Sequence, residues 1–124
     1  MQIPLDLLAT LKADLANPAA AWLCVSADET LHETSVPSPV EGEPPTVTVD
    51  RHVTVTLESA VRGLVLIFML DGLEGQVPTG GKVYYRGNSF QFDDAGLLAA
   101  IDGKVAAVNQ LYADELIAKL SEVL

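Results

Sequence analysis

The side chains that most often do chemistry are sparse in this chain of 124 residues. Two histidines, His32 and His52, and one cysteine, Cys24, show none of the spacings that hold zinc or calcium. A single cysteine also excludes an internal disulfide and a cluster of thiolate ligands. We therefore predict no metal site and no cofactor, two solvated histidines, and a buried cysteine that behaves as a small apolar side chain.

Carboxylates are the next candidates, because paired acids can perform acid–base catalysis. The adjacent pairs are Asp28 and Glu29, Asp93 and Asp94, and Asp114 and Glu115. Neighbouring side chains point apart on strands and helices, whereas catalysis needs two carboxyls that converge in a cleft. No serine occurs in a G-x-S-x-G turn, and Pro78–Val83 lacks the spacing of a phosphate-binding loop. The pattern favours a protein that is not an enzyme.

The distribution of charge indicates a binding function. The formal net charge is -10, and the 38 residues between Lys12 and Arg51 contain no basic side chain. Such a surface repels the phosphates of nucleic acids and lipids and attracts basic proteins. We therefore predict a basic protein partner, with no direct binding to nucleic acid or membrane. The alternative is that the acids only keep the protein soluble. The predicted contact residues are Asp28, Glu29, Glu33, Glu41 and Glu43.

The most apolar stretch, Leu64–Leu70, has no polar side chain and lies between Arg62 and Asp71. A membrane-spanning helix needs about 20 mostly apolar residues, so this stretch is too short to cross a bilayer. Asp6 and Lys12 interrupt the N-terminal segment where a signal peptide would be apolar. We expect a soluble, cytoplasmic protein in which Leu64–Leu70 forms the central strand, covered on both faces.

A proline-rich segment, Pro37–Pro45, separates two regions of strand-like sequence. Its four prolines cannot donate hydrogen bonds to a sheet, which predicts an exposed loop. The 36 residues before it are too few to fold comfortably alone. We predict a single globular domain, residues 1–124, with an exposed loop at 37–45.

Alternating apolar and polar residues predict most of the sheet. Thr46–Glu58 alternates with a period of two, which predicts one long bent strand or two strands, with one face buried and the other solvated. Ala21–Ser26 and Leu31–Val36 are also predicted strands, separated by a turn at Asp28–Thr30. A sheet with one solvated face is expected to be antiparallel.

A hairpin is predicted around Gly87–Asn88, because both residue types tolerate positive φ. A two-residue turn at this position would pair Tyr85 with Phe90 and Val83 with Phe92. These four side chains would then share one apolar face of the hairpin.

Both ends of the chain predict helices. Pro4 suits a first helical turn, and leucines recur after it at helical spacing. Near the C-terminus, an apolar stripe with spacings of three and four predicts a helix packed on the sheet. The stripe consists of Val105, Val108, Tyr112, Leu116, Leu120 and Val123. Residues 95–108 fit either the start of this helix or a second hairpin.

Three more apolar residues of the C-terminal helix, Leu111, Ile117 and Leu124, lie off the stripe. A helix with a wider apolar face than one sheet can cover often packs against a second copy. We therefore predict a homodimer with these three residues at its interface.

The predicted order of elements defines an α+β protein: an antiparallel sheet of about five strands, with N- and C-terminal helices packed on one face. Small acidic secretion chaperones, phage-encoded inhibitors and immunity proteins are similar in broad architecture and charge, although no specific motif connects them to this chain. We predict a non-enzymatic, acidic protein-binding module, acting as a chaperone, inhibitor or adaptor. The alternative is a structural subunit of a larger assembly, such as a phage or virion component.

Overall fold

The computed structural model describes residues 1–123, which form two helices and one five-stranded antiparallel sheet. The strands follow one another in the order β1-β2-β3-β4-β5, and a short 3-10 turn at Pro18–Ala20 precedes the first. The elements are α1 (Leu5–Ala16), β1 (Leu23–Val36), β2 (Thr46–Ser59), β3 (Leu64–Leu73), β4 (Gly80–Tyr85), β5 (Asn88–Phe92) and α2 (Ala95–Val123). The predicted α+β class and the antiparallel sheet with terminal helices are confirmed.

The core lies between one face of the sheet, called here the inner face, and the two helices. Val55 and Leu57 of β2 and Phe68 of β3 are fully buried there, as are Leu97 and Ile101 of α2. Lys12 Nζ lies 3.0 Å from Asp94 Oδ2, and this ion pair joins the two helices. The remaining core residues include Leu15, Trp22, Val53, Leu66, Leu70, Val83, Phe92 and Leu98.

β3 is the central strand of the sheet, as predicted, but it is covered on one face only. Leu66, Phe68 and Leu70 are buried, whereas Val65 and Ile67 are 53% and 42% exposed on the opposite, outer face. The expectation of burial on both faces was wrong because both helices pack on the inner face. An uninterrupted apolar stretch therefore contributes an apolar surface as well as core.

β1 and β2 are each a single strand of 14 residues. The turn predicted at Asp28–Thr30 is absent, since these residues pair continuously with Val53 and its neighbours on β2. One irregularity lies between Cys24 and Ser26, where the register shifts by a residue. β1 shows no clean alternation because every residue after Cys24 is exposed.

The β4–β5 hairpin turns one residue earlier than predicted, at Arg86–Gly87. Both residues have positive φ, +50° and +80°, as a type I′ turn requires. Val83 therefore pairs with Phe90, and Phe92 lies opposite Gly81. The Phe92 ring occupies space that any other residue at position 81 would fill, since a Cβ there would lie 3.1 Å from Phe92 Cζ. This long-range contact favours the observed register.

α2 is one continuous helix of 29 residues, so the alternative of a second hairpin at 95–108 is wrong. Asp94 caps it, because its Oδ2 accepts a hydrogen bond from the backbone N–H of Leu97 at 3.0 Å. Only the first part of the helix contributes buried residues, the last of which is Ile101.

The observed turn predicts that Gly87 and Asn88 respond differently to the same substitution. Gly87→Val should lower the free energy of unfolding by about 1–2 kcal/mol, because a β-branched residue resists positive φ. Asn88→Val, at the exposed first position of β5, should change it by less than about 0.5 kcal/mol. Urea denaturation of both variants measures the difference. Equal destabilisation by the two substitutions would instead favour a turn at Gly87–Asn88.

Candidate functional site

The distal halves of β1 and β2 and the loop between them form an extension that we call the arm, residues 28–51. No residue of the arm is buried, and neither helix covers it. It carries six carboxylates and one arginine, Arg51. Arg51 Nε donates a hydrogen bond of 3.0 Å to Glu29 Oε2, so the single cation of the arm is already paired. The arm is therefore an exposed and strongly negative surface.

All five predicted contact residues lie on the arm, but not on one face of it. Asp28 lies opposite Thr54 on the outer face, whereas Glu29 and Glu33 alternate onto the inner-face side. Glu41 and Glu43 are exposed in the connecting loop, where Glu43 Oε2 accepts a hydrogen bond from Ser38 Oγ at 3.2 Å. The five residues therefore lie spread along the arm and at its tip, on both of its faces, and Glu29 is paired with Arg51.

The second half of α2, residues 109–123, contains no buried residue, and only Asn109 and Tyr112 at its start line a small cavity with β1. The apolar stripe reaches the body of the protein at Val105 and Val108, which line a small cavity with Cys24–Ala27 of β1. Beyond that point every residue is exposed. The exposed stripe residues are Tyr112 at 62%, Leu116 at 58%, Leu120 at 52% and Val123 at 84%.

The expectation that the whole stripe packs on the sheet was therefore wrong, and the reason is length. Twenty-nine residues of helix extend about 43 Å, whereas five strands spaced about 4.8 Å apart measure about 19 Å from first to last. α2 begins beside β5 and reaches β1, so its remainder projects past the edge of the sheet. Of the predicted interface residues, Leu111 and Ile117 are exposed and Leu124 lies outside the described residues.

An apolar groove of about 480 Å³, which the sequence did not predict, lies between α1 and the inner face of the sheet. Leu11 of α1, Leu66 of β3 and Phe90 of β5 are among the side chains that line it. Several elements contribute to the groove, so no local pattern indicates it. Trp22, a large side chain that also lines the groove, is the one residue whose type could have pointed to it.

Asp14 and Arg62 form a polar cluster at the rim of this groove. Arg62 Nη2 lies 2.7 Å from Asp14 Oδ1, and the Trp22 indole Nε1–H donates a hydrogen bond of 2.6 Å to Asp14 Oδ2. The bond from Arg62 lowers the pKa of Asp14 below its ordinary value, and the bond from Trp22 adds to the effect. The cluster joins α1 to the β2–β3 turn, which contains Arg62.

Two other groups could in principle react. His52 Nδ1 lies 2.6 Å from Asp71 Oδ1, but about half of each side chain is exposed on the outer face of the sheet, away from the groove. The His52–Asp71 pair could act in acid–base catalysis only on a substrate bound beside it on the outer face. Burial raises the pKa of the Cys24 thiol, whose Sγ donates a weak hydrogen bond to the Ser26 carbonyl, so the thiol ionises less readily than an exposed cysteine.

The Asp14 cluster predicts a specific dependence of stability on pH. An unfolded aspartate has a pKa of about 3.9 and native Asp14 a lower one, so the ionised side chain stabilises the fold above about pH 4. This contribution disappears as the pH falls through the native pKa. The melting temperature of Asp14→Asn should therefore be a few degrees below wild type at neutral pH and converge with it in acid.

Asp102→Asn, which removes an exposed carboxylate from α2, is the matched control for this measurement. Its melting temperature should follow that of wild type at every pH. A deficit in Asp14→Asn that persists undiminished at about pH 2 would contradict the proposed role of the ionised Asp14.

Within residues 1–123, no helix is both long and apolar enough to cross a membrane. In the same part of the chain, no three His, Cys, Asp or Glu side chains are grouped so that they could hold a metal ion. No family model, no curated protein and no solved structure matches the chain.

Proposed function

We propose that this protein is a non-enzymatic protein-binding module that docks a basic partner on the arm. The observation that supports the proposal is the composition of residues 28–51: six carboxylates, a single arginine held by Glu29, and no buried residue. Surplus charge on a fully exposed extension contributes little to the core and produces a negative field around it. Such a field attracts a positively charged protein before contact.

The backbone of the arm supports the same function. β1 is the first strand of the sheet, so one of its two edges has no neighbouring strand among the described residues. Exposed edges bind extended segments by adding a strand, and carboxylates along the edge disfavour pairing with an identical acidic chain. An extended basic segment therefore fits the arm in both hydrogen bonding and charge.

A structural subunit of a larger assembly is the second candidate. The exposed apolar half of α2 favours it, because such surfaces commonly mark contacts between proteins. Sedimentation of the purified protein separates the two candidates. A discrete monomer or dimer supports the binding module, whereas rings or higher oligomers support the subunit.

The test of the proposed function is the effect of charge on association. The double variant Glu41→Lys, Glu43→Lys should slow association with a fluorescent lysine-rich peptide about tenfold or more and change dissociation less. Association with the wild type should also slow as salt rises from about 0.01 M to 0.1 M, since the screening length falls from about 30 Å to 10 Å. Stopped-flow fluorescence measures both rates.

The matched control reverses two exposed carboxylates outside the arm, Glu58→Lys and Asp102→Lys. It changes the net charge equally, so it should slow association far less than the arm variant does. Equal effects of the two variants would show that only total charge matters. The physiological partner, captured from a lysate of the source organism, should respond to the two variants as the peptide does.

A further inference from the structure

The exposed half of α2 continues the same apolar stripe that the first half buries. Leu98, Ile101 and Val105 face the body of the protein, and Tyr112 and Leu116 continue their row along the helix. Five apolar side chains of this half lie on or beside the row: Tyr112, Leu116, Ile117, Leu120 and Val123. They present a seam from Tyr112 to Val123 that no element of the described chain buries, although Tyr112 also lines the small cavity with β1.

The seam is complementary to itself when a second copy runs antiparallel to it. Tyr112 and Leu120 lie four residues before and after Leu116, so a two-fold axis at Leu116 places Tyr112 of each copy against Leu120 of the other. The same axis places Leu116 against its own copy and Val123 level with Asn109. The large side chains of the row then each face an apolar residue or Asn109 on the other helix, whereas Ile117, beside the row, is level with Glu115.

The charges beside the seam favour the same arrangement. Glu115 and Lys119 lie along one edge of the seam, 3.8 Å apart within the helix. In an antiparallel pair each edge meets the same edge of the copy, in reversed order. With the axis at Leu116, Glu115 lies about 3 Å along the axis from Lys119 of the copy, twice per pair, and at the same offset from Glu115 of the copy, once per pair. The attractive pairs therefore outnumber the repulsive one. In a parallel pair each edge meets the opposite edge of the copy, where Ala113 and Ile117 lie, so these ion pairs between the helices would be absent.

The charge of the whole protein also favours the antiparallel pair. Each protomer has a formal net charge of -10. With the axis at Leu116, the points at which the two helices leave their sheets, near Val108, are about 24 Å apart along the seam. This separation exceeds the screening length of about 8 Å at physiological ionic strength. A parallel pair would bring the two acidic bodies side by side.

We infer that α2 pairs antiparallel with α2 of a second copy, around a two-fold axis at Leu116, to form a homodimer. Burial of a large apolar side chain removes roughly 60–120 Å² of surface, so ten such side chains remove roughly 600–1,200 Å². Stable interfaces bury about 1,200–2,000 Å², so the dimer should dissociate on dilution. Leu111, off the row, is not part of this seam. The inference is independent of the function proposed for the arm.

Cysteine cross-linking tests the geometry directly. In a Cys24→Ala background, Leu116→Cys should form a disulfide-linked dimer on mild oxidation, because the axis brings the two sulfurs together. Tyr112→Cys and Leu120→Cys should each fail alone, since each residue lies about 12 Å along the axis from its own copy. An equimolar mixture of those two variants should cross-link. Non-reducing gel electrophoresis reads all four samples.

Sedimentation of the unmodified wild type over a range of concentrations completes the test. It should show a reversible monomer–dimer equilibrium, and Leu116→Glu should abolish the dimer while circular dichroism retains the folded signal. Cross-linking of Tyr112→Cys and Leu120→Cys alone would indicate a parallel pair and overturn the inference. A wild type that stays monomeric, or a dimer that Leu116→Glu leaves intact, would overturn it as well.

Discussion

The structure depends on a mismatch in length between the elements of its sheet and its helices. β1 and β2 have 14 residues each and extend about 46 Å, whereas β5 has five residues and extends about 17 Å. A five-stranded layer exists only where the short strands pair, and the helices bury only that part. Residues 33–49 of the arm are the surplus length of β1 and β2 beyond the end of β3, and the free half of α2 is the surplus length of the helix.

This division separates the residues that stabilise the fold from the exposed arm. The core residues lie between the inner face and the first halves of the helices, and the arm contributes none of them. A polar network closes one end of this body: the Ser59 hydroxyl donates to the Ala20 carbonyl and accepts from the Arg62 N–H, and Arg62 contacts Asp14. The body can therefore stay folded while the arm carries a surplus of negative charge, which would be costly within a core.

The sequence predicted those parts of the fold in which one face is buried and the other is solvated. β2 alternates because its inner face lies under the helices, and its register of buried residues follows from that alternation. β1 does not alternate, because it is exposed on both faces, so a turn was wrongly placed within it. The β4–β5 register depends on Phe92 packing over Gly81, which lies eleven positions earlier. The preferences of the turn residues alone give no information about this contact.

The spacing of apolar residues also does not show which other element, if any, covers the face that they form. The stripe of α2 predicted a covered helix, but the sheet ends near Val108 and the pattern continues. The apolar stretch of β3 likewise predicted burial on two faces, and one face is open. Of the candidate site, the acidic residues were identifiable because charge is read directly from sequence. The apolar groove was not, because it is assembled from separate elements.

Hydrogen–deuterium exchange of the protein, alone and in complex with its captured basic partner, tests the central claim most directly. If the arm is the binding surface, protection in the complex should concentrate in residues 28–51, with the strongest effect along β1. The amides of α1 and β4, beside the apolar groove, should exchange as they do in the free protein. Protection centred on α1 and β4, with the arm unchanged, would contradict the account and assign the partner to the groove.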